Sequence, residues 1–124
     1  MKLDLDAMLK RFFRSPSPKT PADGFPRERF DPRLTIPAAL TWLARHQSPD
    51  GSWSPDGYHE QCKGDKCTGT GRPGTSVAST ALSLLAFLGA ELHPDSPERD
   101  IAGVVRRGFK WLLAQQDREG RIGS

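Results

Sequence analysis

Long apolar runs are missing from this chain of 124 residues. Nowhere does it hold the roughly 18–20 consecutive apolar residues that cross a bilayer as a helix, so no transmembrane segment is expected. Hydrophobic residues make up 35% of it, and the mean hydropathy is −0.58. The opening stretch, MKLDLDAMLKRFF, places Asp4 and Asp6 among its apolar positions. A secretory leader needs an unbroken apolar centre and a small-residue cleavage site. Lacking both, the chain is expected to be cytoplasmic, its compartment otherwise unassigned. Cysteine is scarce: Cys62 and Cys67 are the only two, too few for a disulfide-built scaffold. A basic excess is absent from the larger part. Residues 1–33 carry eight Lys/Arg against five Asp/Glu, whereas residues 34–124 carry ten of each. With no clustered basic face, nucleic-acid binding is not expected.

What is present divides the chain into three. Leu5, Met8, Leu9, Phe12 and Phe13 follow helical spacing, so residues 1–14 are expected to form a short amphipathic helix. Residues 15–33 hold Pro16, Pro18, Pro21, Pro26 and Pro32. Proline at that density removes backbone donors and blocks helix and sheet alike, which predicts a linker. Residues 34–124 form the organised region.

Three main helices are expected there, giving an all-α fold. The first runs from Ile36 or Pro37 to His46, with Pro37 in the first turn and Leu40, Leu43 and Trp42 as its apolar stripe. The second starts at Thr75 or Ser76, either of which can cap it. Val77, Ala81, Leu84, Leu85 and Leu88 mark one face, with Leu82, Ala86 and Phe87 apolar on the others. A helix apolar nearly all round is a buried one, and Gly89 is a natural terminator. The third has Ser96 as cap and Pro97 at its first position. It buries Ile101, Val104, Val105, Gly108, Leu112 and Gln115 and wets Arg99, Arg106, Arg107 and Lys110.

Between the first two helices, residues 48–74 carry six glycines and three prolines, including SPDG twice, at residues 48–51 and 54–57. Ser, Pro and Gly at the first, second and fourth positions fit a type I turn. The loop also holds HEQCKGDKC, with Cys62 and Cys67 five apart and His59 three before the first. Three soft donors can begin a zinc site, which in a structural role takes four; His93, Asp56 or Asp65 are candidates to complete it. The same cysteines can close a local disulfide in an oxidising compartment or remain reduced thiols. No cofactor is required by the sequence, and zinc is the one it permits. Asp50, Asp56, Glu60 and Asp65 lack the spacing of a calcium loop. GTGRPG, residues 69–74, lacks the Lys-Ser/Thr ending of a phosphate loop.

The strongest pattern is a repeat. Residues 38–53, AALTWLARHQSPDGSW, align without a gap on residues 107–122, RGFKWLLAQQDREGRI. Trp42 falls on Trp111, Gln47 on Gln116, Asp50 on Glu119, Gly51 on Gly120, and Trp53 on Ile122. A helix ends with its last carbonyls unpaired, so Gln47 and Gln116 are expected to donate to them. A glycine then closes the turn, and Trp53 packs on the helix stem or the next unit. Burying such a ring contributes roughly 1.5–3 kcal/mol, and its N–H needs a partner.

The frame of Trp-Leu-x3-Gln-x3-Gly-x-Trp resembles the QW repeat of squalene–hopene and other triterpene cyclases, and more broadly the prenyltransferase and squalene-oxidase repeat. The resemblance covers residues 34–124. It implies an α/α toroid in which residues 36–46 and 97–116 are outer helices and Ser76–Gly89 an inner one. It also implies an apolar central cavity for an isoprenoid or similar ligand, with Leu84, Phe87 and Leu88 as lining. The chain departs from the family at Ile122, which stands where tryptophan belongs. It departs again at SVASTA, residues 76–81, where Ser76, Ala78 and Ser79 stand in place of the aspartates of the cyclase motif DxDDTA. Serine cannot protonate an alkene, so no catalytic residue is expected here. One and a half repeats cannot bury both faces of a toroid. The expectation is therefore an incomplete helical-repeat segment, with further repeats or a protein as partner, serving binding or assembly. The alternative is part of a triterpene cyclase whose acid lies in other repeats.

Overall fold

The computed structural model describes residues 32–64 and 66–123. The expected N-terminal helix and most of the expected linker lie outside them, as does Asp65. Three α-helices follow in order: α1 (Pro32–Arg45), α2 (Ser76–Gly89) and α3 (Arg99–Ala114), with a short 3-10 turn at Tyr58–Gln61 in the α1–α2 connection. Among the described residues no strand forms; an isolated bridge joins Gln116 and Ile122. The all-α expectation holds.

Helix α1 begins earlier than its sequence predicts. Pro32, not Pro37, takes the first helical position, where a missing N–H costs nothing. Pro32 and Arg33, expected as the end of the linker, belong to this helix. Pro37 sits inside the helix and is fully buried; its ring packs, although it offers no donor to the helix ladder. Leu40 and Ala44 reach the core, Leu43 packs on its edge, and Trp42 stays 42% exposed.

Helix α2 has the expected bounds but a different buried face. Thr80, Ser83, Leu84 and Phe87 point inward, at the i, i+3, i+4, i+7 spacing of one stripe. Leu82 and Leu85 stand outward at 67% and 62% exposure. The expectation of a helix buried on all sides is corrected: α1, α3 and Trp53 pack on one side of it, and the side of Leu82 and Leu85 stays open. The stripe is phased by Thr80, whose hydroxyl accepts the backbone N–H of Trp53 at 3.0 Å and so is satisfied where it is buried. Leu84 and Phe87, expected as cavity lining, instead join the core with Trp53, Leu92, Ile101, Val104 and Val105, and Leu88 is half-buried.

Two helix ends also differ from expectation. Thr75 precedes α2 but makes no side-chain cap; its hydroxyl donates to Arg72 O at 3.1 Å. Gly89 is the last residue of α2, but the left-handed position of the ending is not a glycine. Two residues on, Glu91 takes the left-handed conformation (φ 59°). Its N–H donates to Leu88 O at 2.9 Å, and that of Leu92 to Phe87 O at 3.0 Å. This is a Schellman ending, anchored by the buried Leu92. Helix α3 starts at Arg99 rather than Pro97, with Glu98 O accepting Ala102 N–H at 2.9 Å. Ser96 is not the cap residue; its hydroxyl accepts the N–H of His93 at 2.7 Å. The buried face of α3 is Ile101, Ala102, Val104, Val105 and Gly108; Leu112 is half-buried and Gln115 exposed.

Candidate metal centre

Both copies of the repeated phrase fold the same way. Gly51 N–H donates to Ser48 O at 2.9 Å, and Gly120 N–H to Asp117 O at 3.1 Å. Ser48 N–H donates to Ser52 O at 2.9 Å, and Asp117 N–H to Arg121 O at 2.8 Å. Gly51 and Gly120 have φ of 100° and 87°, a region other residues rarely enter. Gln47 donates its amide to Gly51 O at 3.0 Å, and Gln116 to Gly120 O at 2.8 Å. The glutamines therefore tie the carbonyl of the turn glycine rather than the helix end, correcting the expectation. The helix-end bond is made by Gln115, which donates to Trp111 O at 3.3 Å. The aligned acids also differ in role. Asp50 accepts from the N–H and hydroxyl of Ser52, whereas in the second turn Asp117, not Glu119, accepts from two backbone N–H groups.

The first turn is buried and the second is exposed. Gln47 reaches across to Val104 O in α3 at 2.9 Å, and its own carbonyl accepts from the Arg107 guanidinium at 3.1 and 3.3 Å. Trp53 is 4% exposed, donates its ring N–H to Leu43 O at 2.8 Å and stands 5.9 Å from the Phe87 ring. Gln116 and Ile122 are exposed, and Trp111 is half-buried.

His46 follows the last residue of α1 and is buried. Its Nδ1 lies 2.7 Å from Trp42 O. A carbonyl only accepts, so this bond assigns the proton to Nδ1 and leaves the lone pair on Nε2. Trp42 stacks on the imidazole, with centroids 3.9 Å apart and planes 17° apart, and Tyr58 flanks Trp42 at 5.7 Å. Tyr58 in turn holds the loop, its hydroxyl lying 2.8 Å from Thr68 O and 3.2 Å from Gly69 O.

The loop carries both cysteines back over this ring. Cys62 Sγ is 3.4 Å and Cys67 Sγ 3.5 Å from His46 Nε2. Cys67 N–H donates to Cys62 Sγ at 3.2 Å, and both thiols are free. That N–H and the Cys67 side chain hold the Cys62 thiol below its ordinary pKa against a contrary effect of desolvation, with a smaller contribution from His46. The Cys67 thiol is pushed up, chiefly by its bond with Cys62. The three donor atoms lie within 4.8 Å of one another, so His46, Cys62 and Cys67 could hold a metal ion.

The expected histidine was a different one. His59 lies outside this group; its ring meets Tyr58 edge-on, and its Nδ1 has no hydrogen-bond partner among the described residues. Asp56 accepts from the Ser54 hydroxyl at 2.8 Å, His93 belongs to the α2–α3 connection, and neither joins the group. The second SPDG differs from the first: Gly57 N–H donates to the Ser54 hydroxyl, and Tyr58 N–H to Ser54 O.

No family model, curated protein or solved structure matches the chain. Among the described residues no helix is long and apolar enough to cross a membrane.

Proposed function

We propose that this chain is a repeat segment of the α/α-toroid type that serves binding or assembly rather than catalysis. The observation that carries the reading is the repeated turn. At an offset of 69 residues, the same side-chain bond, the same pair of backbone bonds and the same positive-φ glycine recur. In such arrays each unit buries its apolar face on a neighbour. Leu82 and Leu85 on α2 supply an outward apolar face of that kind, fit for further repeats, a protein partner or an isoprenoid-like ligand. Ser76, Ala78 and Ser79 bring no acid, which favours binding over the alternative of a triterpene-cyclase segment.

Zinc is the ion that we assign to the loop. With Zn–S of about 2.3 Å and Zn–N of about 2.0 Å, tetrahedral geometry sets sulfur and nitrogen about 3.5 Å apart. The spacings of 3.4 and 3.5 Å match that edge. Bound there, zinc staples the loop to the end of α1.

Sedimentation velocity of the purified chain tests the main reading, with and without Leu82→Glu and Leu85→Glu. The expected result is association, or binding of an apolar dye, that the paired substitutions abolish while the helical circular dichroism persists. A wild-type monomer that binds no apolar probe overturns it.

A further inference from the structure

The metal centre offers three protein donors, and tetrahedral zinc takes four. Among the described residues no other His, Cys, Asp or Glu joins the group. All three donors line one cleft of about 1060 Å³, together with Thr41, Trp42, Arg45, Gln47, Lys63 and Arg107. We infer that zinc on His46, Cys62 and Cys67 keeps its fourth position for a small oxyanion, a carboxylate or phosphate group, taken from solution through this cleft. The inference rests on the zinc reading above.

Three observations carry it. The first is the donor count: three ligands and an exchangeable fourth is the arrangement of zinc sites that bind or transform ligands, whereas closed structural sites have four protein donors. The second is charge. Two thiolates neutralise Zn²⁺, so the core of the centre brings no surplus of either sign. Around it, Arg45, Lys63 and Arg107 line the cleft, and among the described residues no Asp or Glu does. The Arg107 guanidinium is held by the amide oxygen of Gln47, a neutral acceptor that fixes its direction without cancelling its charge. Guanidinium and ammonium groups recognise carboxylate and phosphate oxygens through charge-assisted hydrogen bonds.

The third is a hydroxyl without a partner. Thr41 is 5% exposed and lines the cleft, and among the described residues its Oγ1 has no hydrogen-bond partner. A buried hydroxyl left unpaired is costly, so it marks a place where a ligand oxygen belongs. The apolar lining of Trp42, Ala38, Ala44 and Pro49 suits a ligand whose anionic head leads a short carbon body.

The test uses the purified chain loaded with Co²⁺ in place of zinc, titrated separately with inorganic phosphate and with acetate. The expected result is a thiolate-to-cobalt charge-transfer band, and visible d–d bands that shift as either anion saturates. Thr41→Val should weaken anion affinity about fivefold, the equivalent of one lost hydrogen bond. Arg45→Ala with Lys63→Ala should weaken it further and steepen no metal-binding curve. A charge-transfer band whose d–d spectrum ignores both anions overturns the open fourth position and leaves the zinc reading standing. No charge-transfer band at all overturns both. A response to phosphate but not acetate restricts the ligand to phosphate groups and supports the inference.

Discussion

Gln47 donates its side-chain amide to the carbonyl of Val104, 57 residues later in the chain, at 2.9 Å. The same amide holds Gly51 O, so one buried side chain joins the end of α1, the turn after it and the middle of α3. Removing it strands two carbonyls and the Arg107 guanidinium. Gln47→Ala should cost about 1–3 kcal/mol of unfolding free energy. Gln116 makes the matching turn bond in the open, and Gln116→Ala should stay within about 0.5 kcal/mol. Urea unfolding of the two variants side by side checks the contrast; equal losses would show that burial is not what separates the turns.

Two glycines are held for different reasons, one by space and one by backbone conformation. A Cβ on Gly108 would lie 2.8 Å from both Leu84 Cδ2 and Trp53 Cζ3. Gly108→Ala is expected to destabilise by about 1–3 kcal/mol through overpacking and to perturb the tryptophan fluorescence of the folded chain. Gly120 has only its positive φ to protect, a Cβ there meeting just the flexible Gln116 amide at 3.4 Å, and Gly120→Ala should cost roughly 1 kcal/mol. Denaturation midpoints give the order.

Metal addition should separate the two histidines. Zinc at a hundred times its Kd should raise stability by about 2.7 kcal/mol, read as an upward shift of the melting temperature that a chelator reverses. His46→Ala and Cys62→Ser should each abolish the shift, and His59→Ala should leave it intact. Loss of the shift in His59→Ala alone would return the site to the local sequence cluster.

Acid should act through the turns. Asp50 is raised by burial, but the N–H and hydroxyl of Ser52 and the Trp111 side chain outweigh that and hold its pKa below the ordinary 3.8. The N–H and guanidinium of Arg121 do the same for Asp117, against a smaller opposing desolvation. A folded-state pKa below the unfolded one gives stability that is full above the unfolded value and lost as pH falls through the folded value. Stability should therefore decline below about pH 4. Asp50→Asn with Asp117→Asn should flatten that decline while lowering stability at neutral pH. Thermal melts from pH 2 to 7 measure both arms.

The helices and the repeat were legible because both depend on local pattern. Cap and terminator residues placed α2 to within one residue, and the offset between Gln47 and Gln116 pointed to two turns that fold alike. The candidate metal centre was half legible. Cys62 and Cys67 stand together in sequence, but their histidine comes from the end of α1, sixteen residues before Cys62. Only the backfolding of the loop, held by Tyr58 on Thr68 and Gly69, brings it close. A sequence signal did exist: His46 directly precedes Gln47 in the repeat, where the second copy has Gln115, a substitution of donor type at a fixed structural position. The face of α2 was misread because Thr80 and Ser83 look polar, and only the N–H of Trp53 explains why Thr80 goes inside.

Gly51 brings the backbone of the first turn against the carbonyl of Arg107, where a Cβ would collide. The first turn and α3 thus meet at a spacing that only a hydrogen atom allows. A methyl group at this one position would push the turn off the helix and loosen the seat that Gln47 bridges.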